Sequence, residues 1–225
     1  MDSPLTIFSE QGSGGTVVEA ALTLIGRPYI LREVSLFPQT DRPTAEQRAN
    51  NADWEAANPL RQSPTVVLPD GRVMTESAAI LLWLGDQHPD AGLAPAPDDP
   101  RRPEYLRWMV YVPAAIYPMY WIRDDPYRLT ATPPAATVIK SRTSERVAEC
   151  WRLMDGQVSP SPYILGDQLS LLDLYVTVVS RWTPGRRRFY AEAPRLADVV
   201  RRVDADPRLA AFWDRRFPFL KGWER

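Results

Sequence analysis

The pattern of apolar residues changes kind near residue 90, and that change limits the folds open to this chain. Before it, short apolar runs alternate with amphipathic stretches; after it, every apolar pattern has helical spacing. Leu5 to Phe8 is a short run with β-branched content between Pro4 and Gly12-Ser13-Gly14-Gly15, which predicts a strand. From Thr16 to Ile25, Val17, Val18, Ala20, Ala21, Leu24 and Ile25 recur at helical spacing, and Gly26 ends the helix. Tyr29 to Leu36 reads as a second strand, so the chain opens on a βαβ unit with a parallel pair. Phe37 to Asn58 is polar and predicts a loop holding one helix, Ala45 to Ala57. Thr65 to Leu68 and Arg72 to Met74 flank the turn signal Pro69-Asp70-Gly71 and predict a β-hairpin. Thr75-Glu76-Ser77 leads into an apolar helix, Ala78 to about Gln87, stopped by Pro89. The predicted order is β-α-β-α-β-β-α.

Residues 89–103, rich in Pro, Ala, Gly and Asp, have the composition of a linker. Helices are then predicted over Glu104 to Trp121, Ala135 to about Gln157, Leu171 to about Trp182, Ala193 to Val203 and Pro207 to Asp214. The nearly unbroken apolar run from Leu171 predicts a buried helix. The expected division is an α/β domain over 1–88, the linker, and an all-helical domain over 104–225.

Composition removes several functions. Lys+Arg 27 against Asp+Glu 28 lacks the basic excess of a nucleic-acid binder. Arg101-Arg102, Arg186-Arg187-Arg188 and Arg201-Arg202 read as solvated helix faces or turns. One cysteine, Cys150, and one histidine, His88, provide neither an internal disulfide nor a Cys/His metal cluster, so no metal is expected. No CxxC pair is present for dithiol redox chemistry, and a reducing cytoplasm fits. The Met1-Asp2-Ser3-Pro4 start does not look like a secretory signal, and the longest strongly apolar stretch, Ala78 to Leu84, is far below the roughly 20 residues of a membrane span. Cys150 reads as a small buried hydrophobe and His88 as a helix end.

Two short motifs carry chemistry. Ser63-Pro64 directly precedes a strand. A cis-Pro there turns the backbone N–H and C=O of Ser63 outward, able to pair with an extended peptide as another strand does; a trans Pro at a strand start is the alternative. Thr75-Glu76-Ser77 stands at a helix start, where free N–H groups attract a carboxylate, Ser77 adds a hydroxyl donor, and Glu76 can accept from an ammonium group. That set suits the α-amino-acid end of a peptide; simple N-capping by Thr75 is the alternative.

Taken in order, Asn58-Pro59-Leu60, Ser63-Pro64-Thr65-Val66-Val67-Leu68, Asp70-Gly71 and Thr75-Glu76-Ser77-Ala78-Ala79-Ile80 resemble the glutathione-site signature of the glutathione S-transferase family. Ser170-Leu171-Leu172-Asp173 resembles that family's buried N-capping box, with Leu169 and Leu174 as its hydrophobic staple. The resemblance covers essentially the whole chain. It implies an N-terminal thioredoxin-like domain followed by an all-helical C-terminal domain, with glutathione as co-substrate and a homodimer acting in detoxification. Glu76 and Ser77 would hold the γ-glutamyl end, Ser63 and Pro64 the cysteinyl part, and Ser170 and Asp173 would be structural.

In such a site the nucleophile is the glutathione thiol, and the protein stabilises its anion with a hydrogen-bond donor. The family takes that donor, or a reactive Cys, from the loop after the first strand. Here the loop runs Ser9-Glu10-Gln11-Gly12-Ser13-Gly14-Gly15-Thr16, and the usual Ser or Cys positions fall on Gly12 and Gly14. Ser13 is the first candidate donor and Ser9 the second; backbone N–H groups of the glycine-rich turn are a third route, and a turn without a catalytic donor a fourth. The missing Cys disfavours a reductase or peroxidase. Tyr105, Trp108, Tyr111, Tyr117, Tyr120 and Trp121 are either a wall for a small hydrophobic electrophile or an aromatic helix core between domains or subunits, and Pro113 and Pro118 interrupt their helix. The expected function is a glutathione transferase; a non-catalytic glutathione-binding or protein-interaction module is the alternative.

Overall fold

A computed structural model describes residues 3–37, 42–182 and 184–219; positions 38–41, the start of the expected polar loop, lie outside the described residues. The chain divides into two compact units, one holding the chain up to Ala94 together with Asp204–Phe219, the other holding Pro95–Val203. The first unit runs β1 (Leu5–Ser9), α1 (Gly15–Ile25), β2 (Tyr29–Glu33), α2 (Ala45–Ala57), β3 (Thr65–Val67), β4 (Val73–Met74) and α3 (Ser77–Gln87), the order expected from the sequence.

The four strands lie in the order β2-β1-β3-β4. β1 is parallel to β2, with Leu5 opposite Tyr29, and antiparallel to β3, with Phe8 opposite Thr65. β3 and β4 form the hairpin, Val66 opposite Met74. Alternation sorts the side chains of β1: Leu5, Ile7 and Ser9 share one face, while Phe8 on the other packs with Val34 and with Trp54 of α2. α1 buries Val17, Val18, Ala20, Ala21 and Leu22. Gly26, at φ 75°, ends it in the left-handed region, where the N–H of Arg27 reaches back to Leu22 O at 3.0 Å.

The second strand is shorter than its apolar pattern predicts. It stops at Glu33 because its partner β1 ends opposite it at Ser9. Beyond that point the Asn51 side-chain amide donates to Ser35 O and accepts from Ser35 N–H, both at 3.0 Å. Asn50 Nδ2 likewise donates to Glu33 O at 2.8 Å. These two amides occupy the outer edge of the sheet.

In the second unit, α4 (Arg102–Tyr111) and α5 (Tyr117–Asp124) are joined by a wider π turn, Val112–Ile116. Pro113 lacks the N–H of an α-helical ladder, and the wider turn absorbs that loss without ending the helix. Tyr105 and Trp108 are fully buried and Tyr120 nearly so, which makes these aromatics core residues of this unit. α6 (Pro133–Asp155) and the fully buried α7 (Leu171–Val179) follow, then α8 (Arg186–Glu192) and α9 (Pro194–Asp204). Cys150 is buried, and His88 caps the C-terminus of α3. The expected solvation of the arginine clusters fails at Arg186, which is fully buried. Its guanidinium donates to Thr177 O in the last turn of α7 at 3.0 Å and to Tyr190 Oη at 2.9 Å, a cation answering the negative end of that helix. The last helix, α10 (Ala210–Arg216), belongs to the first unit. No helix among the described residues is long and apolar enough to cross a membrane.

Asp173 anchors α7. Its carboxylate accepts from Ile164 N–H (2.8 Å), Ser170 N–H (2.8 Å) and Ser170 Oγ–H (2.6 Å). Complete burial pushes its carboxyl up to about 6, against the pull of those three hydrogen bonds. A carboxyl whose folded value is raised stabilises the fold below its unfolded value, near 3.9, and that contribution disappears as pH rises through about 6. Between about pH 4 and pH 7 the stability of wild type relative to Asp173→Asn should therefore fall, by up to about 3 kcal/mol, in urea titrations of both proteins.

Candidate functional site

The loop from β1 to α1 carries the proposed donor. It is tied into a turn by Ser13 N–H to Glu10 O and Thr16 N–H to Ser13 O, both 3.1 Å. Gly12 has φ 75°, a conformation that side-chain-bearing residues seldom adopt. Ser13 Oγ accepts from the Gly15 N–H at 3.2 Å and lies 2.9 Å from Ser63 Oγ. Two residues picked out separately from the sequence, fifty positions apart, thus share a hydrogen bond.

Ser63 is placed by a network that the sequence reading left without a role. Asn58 at the end of α2 is buried; its Nδ2 donates to Gln62 O (3.1 Å) and Thr65 Oγ1 (2.9 Å), and its Oδ1 accepts from Leu60 N–H (3.2 Å). Thr65 Oγ1 also accepts from Trp54 Nε1 at 2.9 Å and donates to Gln62 O at 3.2 Å. These bonds fix both ends of the bend that presents Ser63, whose peptide bond to Pro64 is cis.

Strand register brings in the remaining residues. Extending the β1–β3 ladder from Phe8–Thr65 places Pro64 and Ser63 beside Ser9 and Glu10. On the other side, the β3–β4 ladder leads from Val66–Met74 through Thr75 to Glu76 and Ser77 at the start of α3. Glu76, not Thr75, is the N-cap of α3, and its side chain makes no capping hydrogen bond. Its backbone sits at φ 65°, ψ 103°, a strained conformation for a residue with a Cβ. The first bond within α3 is Ile80 N–H to Glu76 O at 3.0 Å, so the N–H groups ahead of it lie at the positive end of the helix. Ser77 is buried, and the Glu76 side chain is exposed.

Ser9, the second candidate donor, has another partner. It is fully buried, and its hydroxyl donates to Glu19 Oε1 at 2.7 Å. Glu19, fully buried within α1, is held by Arg216 of α10 through Nε–Oε2 at 2.7 Å and Nη2–Oε1 at 3.2 Å. Arg216 Nη1 also reaches Glu33 Oε1 at 2.8 Å. The Tyr29 hydroxyl donates to Glu19 Oε2 at 3.4 Å, and burial together with the Glu19 charge pushes it up to about 12. A groove of about 810 Å³ opens beside this pair, lined by Leu22, Arg27, Tyr29, Leu31 and Arg215 among others. Ser13, Ser63, Glu76 and Ser77 do not line it, so the groove is distinct from the cluster around Ser13. The lone charge in Val17-Val18-Glu19-Ala20-Ala21-Leu22 is the sequence signal that marks Glu19; nothing local marks Arg216 as its partner.

The fold is a thioredoxin-like domain with a helical C-terminal region, and comparison with known proteins agrees. Residues 16–87 match the model of the glutathione S-transferase N-terminal domain. The chain is 31% identical over 205 residues to the uncharacterized GST-like protein YncG of Escherichia coli K12, covering 91% of this chain and 95% of that one. It is 22% identical to the glutathione S-transferase GstA of Escherichia coli O157:H7, covering 79% and 82%. A glutathione transferase homologue from Sulfitobacter, solved with bound glutathione, superposes with a TM-score of 0.78 at 23% identity, covering 94% and 97%. The chain belongs to the glutathione S-transferase family.

Two substitutions test the cluster. A Cβ on Gly15 would lie 2.1 Å from Ser9 Oγ and 2.8 Å from Ser63 Oγ, so Gly15→Ala should destabilise the fold by about 2 kcal/mol, seen as a lower denaturant midpoint at unchanged slope. Glu76→Gly relieves a strained backbone and should raise stability by about 1 kcal/mol in the same measurement.

Proposed function

We propose that this protein is a glutathione transferase that binds glutathione at the Ser13, Ser63, Pro64, Glu76 and Ser77 cluster and activates its thiol toward a small hydrophobic electrophile. Membership of the family, and likeness to a transferase homologue solved with glutathione, support glutathione-transferase function in general. In this reading Glu76 accepts from the γ-glutamyl ammonium, Ser77 and the N-terminal N–H groups of α3 receive its carboxylate, and the Ser63 backbone pairs with the cysteinyl part. Strain held at Glu76 fits such a role, because strained backbone concentrates at ligand sites.

The observation that carries the proposal is the double occupancy of Ser13 Oγ. A hydroxyl has two lone pairs and one proton. The Gly15 N–H fills one lone pair at 3.2 Å, and Ser63 Oγ–H at 2.9 Å can fill the second. The Ser13 proton is then left for a third partner and is made a stronger donor by the two bonds it receives. Ser13 also stands at the positive end of α1, where an anion is favoured. A donor so placed lowers a thiol from its free value of about 8.5 toward neutrality and raises the thiolate fraction.

The same hydroxyl pair allows the opposite orientation, with Ser13 donating to Ser63. That arrangement offers no free proton and suits a protein that holds glutathione without activating it. Ser13→Ala separates the two. In the transferase reading it raises the bound thiol toward about 8.5, read from the pH dependence of thiolate ultraviolet absorbance, and lowers turnover of a chloronitrobenzene at neutral pH by about 10- to 100-fold. Glutathione affinity should change only a few-fold. An unchanged pH profile would remove Ser13 as the donor, and retention on immobilised glutathione without turnover in wild type would favour the binding module.

A further inference from the structure

A loop holding Gly12, Gly14 and Gly15 has little intrinsic stiffness, yet it carries the one hydroxyl on which thiol activation depends. Its own main chain supplies two turn hydrogen bonds. Ser13 is further tied to Gly15 N–H and Ser63, and the Glu10 carboxylate accepts from Leu36 N–H at 3.2 Å. The other end of the chain adds restraint at three successive residues. Gln11 Nε2 donates to Arg215 O at 3.1 Å. Arg216 grips Glu19 at 2.7 and 3.2 Å, and Glu19 Oε1 accepts from Ser9 at the start of the loop at 2.7 Å. The Phe217 ring covers Gly12, leaving 3.1 Å between a ring carbon and the place a Cβ would occupy. Residues 9, 11 and 12 are thus held in sequence by 216, 215 and 217, and Ser13 is the next residue along.

Resting on the reading of Ser13 as thiolate donor, we propose that the C-terminal segment Arg215-Arg216-Phe217 positions Ser13 for catalysis. These contacts fall on Ser9 by way of Glu19, on Gln11 and on Gly12, and they fix the backbone from which Ser13 projects. Catalytic hydrogen bonds tolerate little displacement, since a shift of about 1 Å can cost about 100-fold. A clasp that holds the loop therefore sets the thiol's ionisation without contributing to the affinity for glutathione.

Replacing Arg216 alone strands a buried Glu19 charge and risks the fold, so the test uses Phe217, which is only half-buried. Full-length wild type, Phe217→Ala, Phe217→Leu, Ser13→Ala and Ser13→Ala/Phe217→Ala are compared. The readouts are thiolate absorbance of bound glutathione against pH, and kcat and KM with a chloronitrobenzene. Phe217→Ala should move the thiol upward by about half a pH unit and lower kcat at neutral pH about threefold or more, with KM for glutathione within about twofold. Phe217→Leu should restore most of the loss. In the Ser13→Ala background the second substitution should change nothing further, because the group being positioned is gone. The inference is overturned if Phe217→Ala leaves ionisation and kcat unchanged, alters KM alone, or has the same effect with and without Ser13. A wild-type protein that binds glutathione without lowering its thiol removes the Ser13 reading itself, a result visible before any variant is made.

Discussion

A carboxylate buried in the middle of an apolar helix has to be paired, and the fold of the first unit is arranged around how Glu19 is paired. Arg216, 197 positions away, answers it with two hydrogen bonds, while Ser9 and Tyr29 supply further donors. The pair ties α1 to α10 directly, to β1 through Ser9, and to β2 through Tyr29 and Glu33. Removing one partner of such a buried pair typically costs about 3–5 kcal/mol, because the other charge is left buried and unpaired. The same arithmetic explains why residues 204–219 leave the helical unit to join the α/β unit: Glu19 is uncompensated without them.

Around that anchor, the candidate site is assembled by rules of different reach. Strand register is the long-range rule, setting the bend at Ser63 and Pro64 beside the end of β1 and leading from β4 into Glu76 and Ser77. Local hydrogen bonding is the short-range rule, with Asn58 and Thr65 bracing the bend at Ser63 and the Gly15 N–H orienting Ser13. Gly15 lets these meet. Ser9 and Ser63 both pack where its side chain would be, so β1, α1 and the bend before β3 converge at one position without a Cβ. Backbone strain at Glu76 is held in place by the hairpin before it and the helix after it.

The order of elements was legible because periodicity is a local property: runs of two and of 3.6 announced β1 to α3, and Gly26 and His88 ended their helices where the composition said. The candidates Ser63, Glu76 and Ser77 stand out as a spaced motif, and Ser13 as a hydroxyl in a loop that departs from the family pattern. What escaped was whatever depended on a partner distant in sequence. Ser9 stands as the second candidate donor after Ser13 until Glu19 is seen to take its hydroxyl. Arg186 reads as one of three exposed arginines until α7 presents its C-terminal carbonyls. The apolar pattern over Tyr29 to Leu36 outruns the strand because apolarity continues past Glu33, where the partner strand β1 ends at Ser9. The aromatic residues of α4 were the most ambiguous, since a ring that lines a pocket and a ring that fills a core have the same spacing; Tyr105 and Trp108 fill a core.

The amides of Asn50 and Asn51 also bear on the open edge of β2. An outermost strand offers its free carbonyls and N–H groups to any extended segment that comes near, including the same strand of another molecule. Here α2 turns two carboxamides toward that edge, and the carbonyl of Glu33 with both main-chain groups of Ser35 is satisfied inside the molecule. An extended segment approaching β2 would find the C-terminal end of that edge already taken.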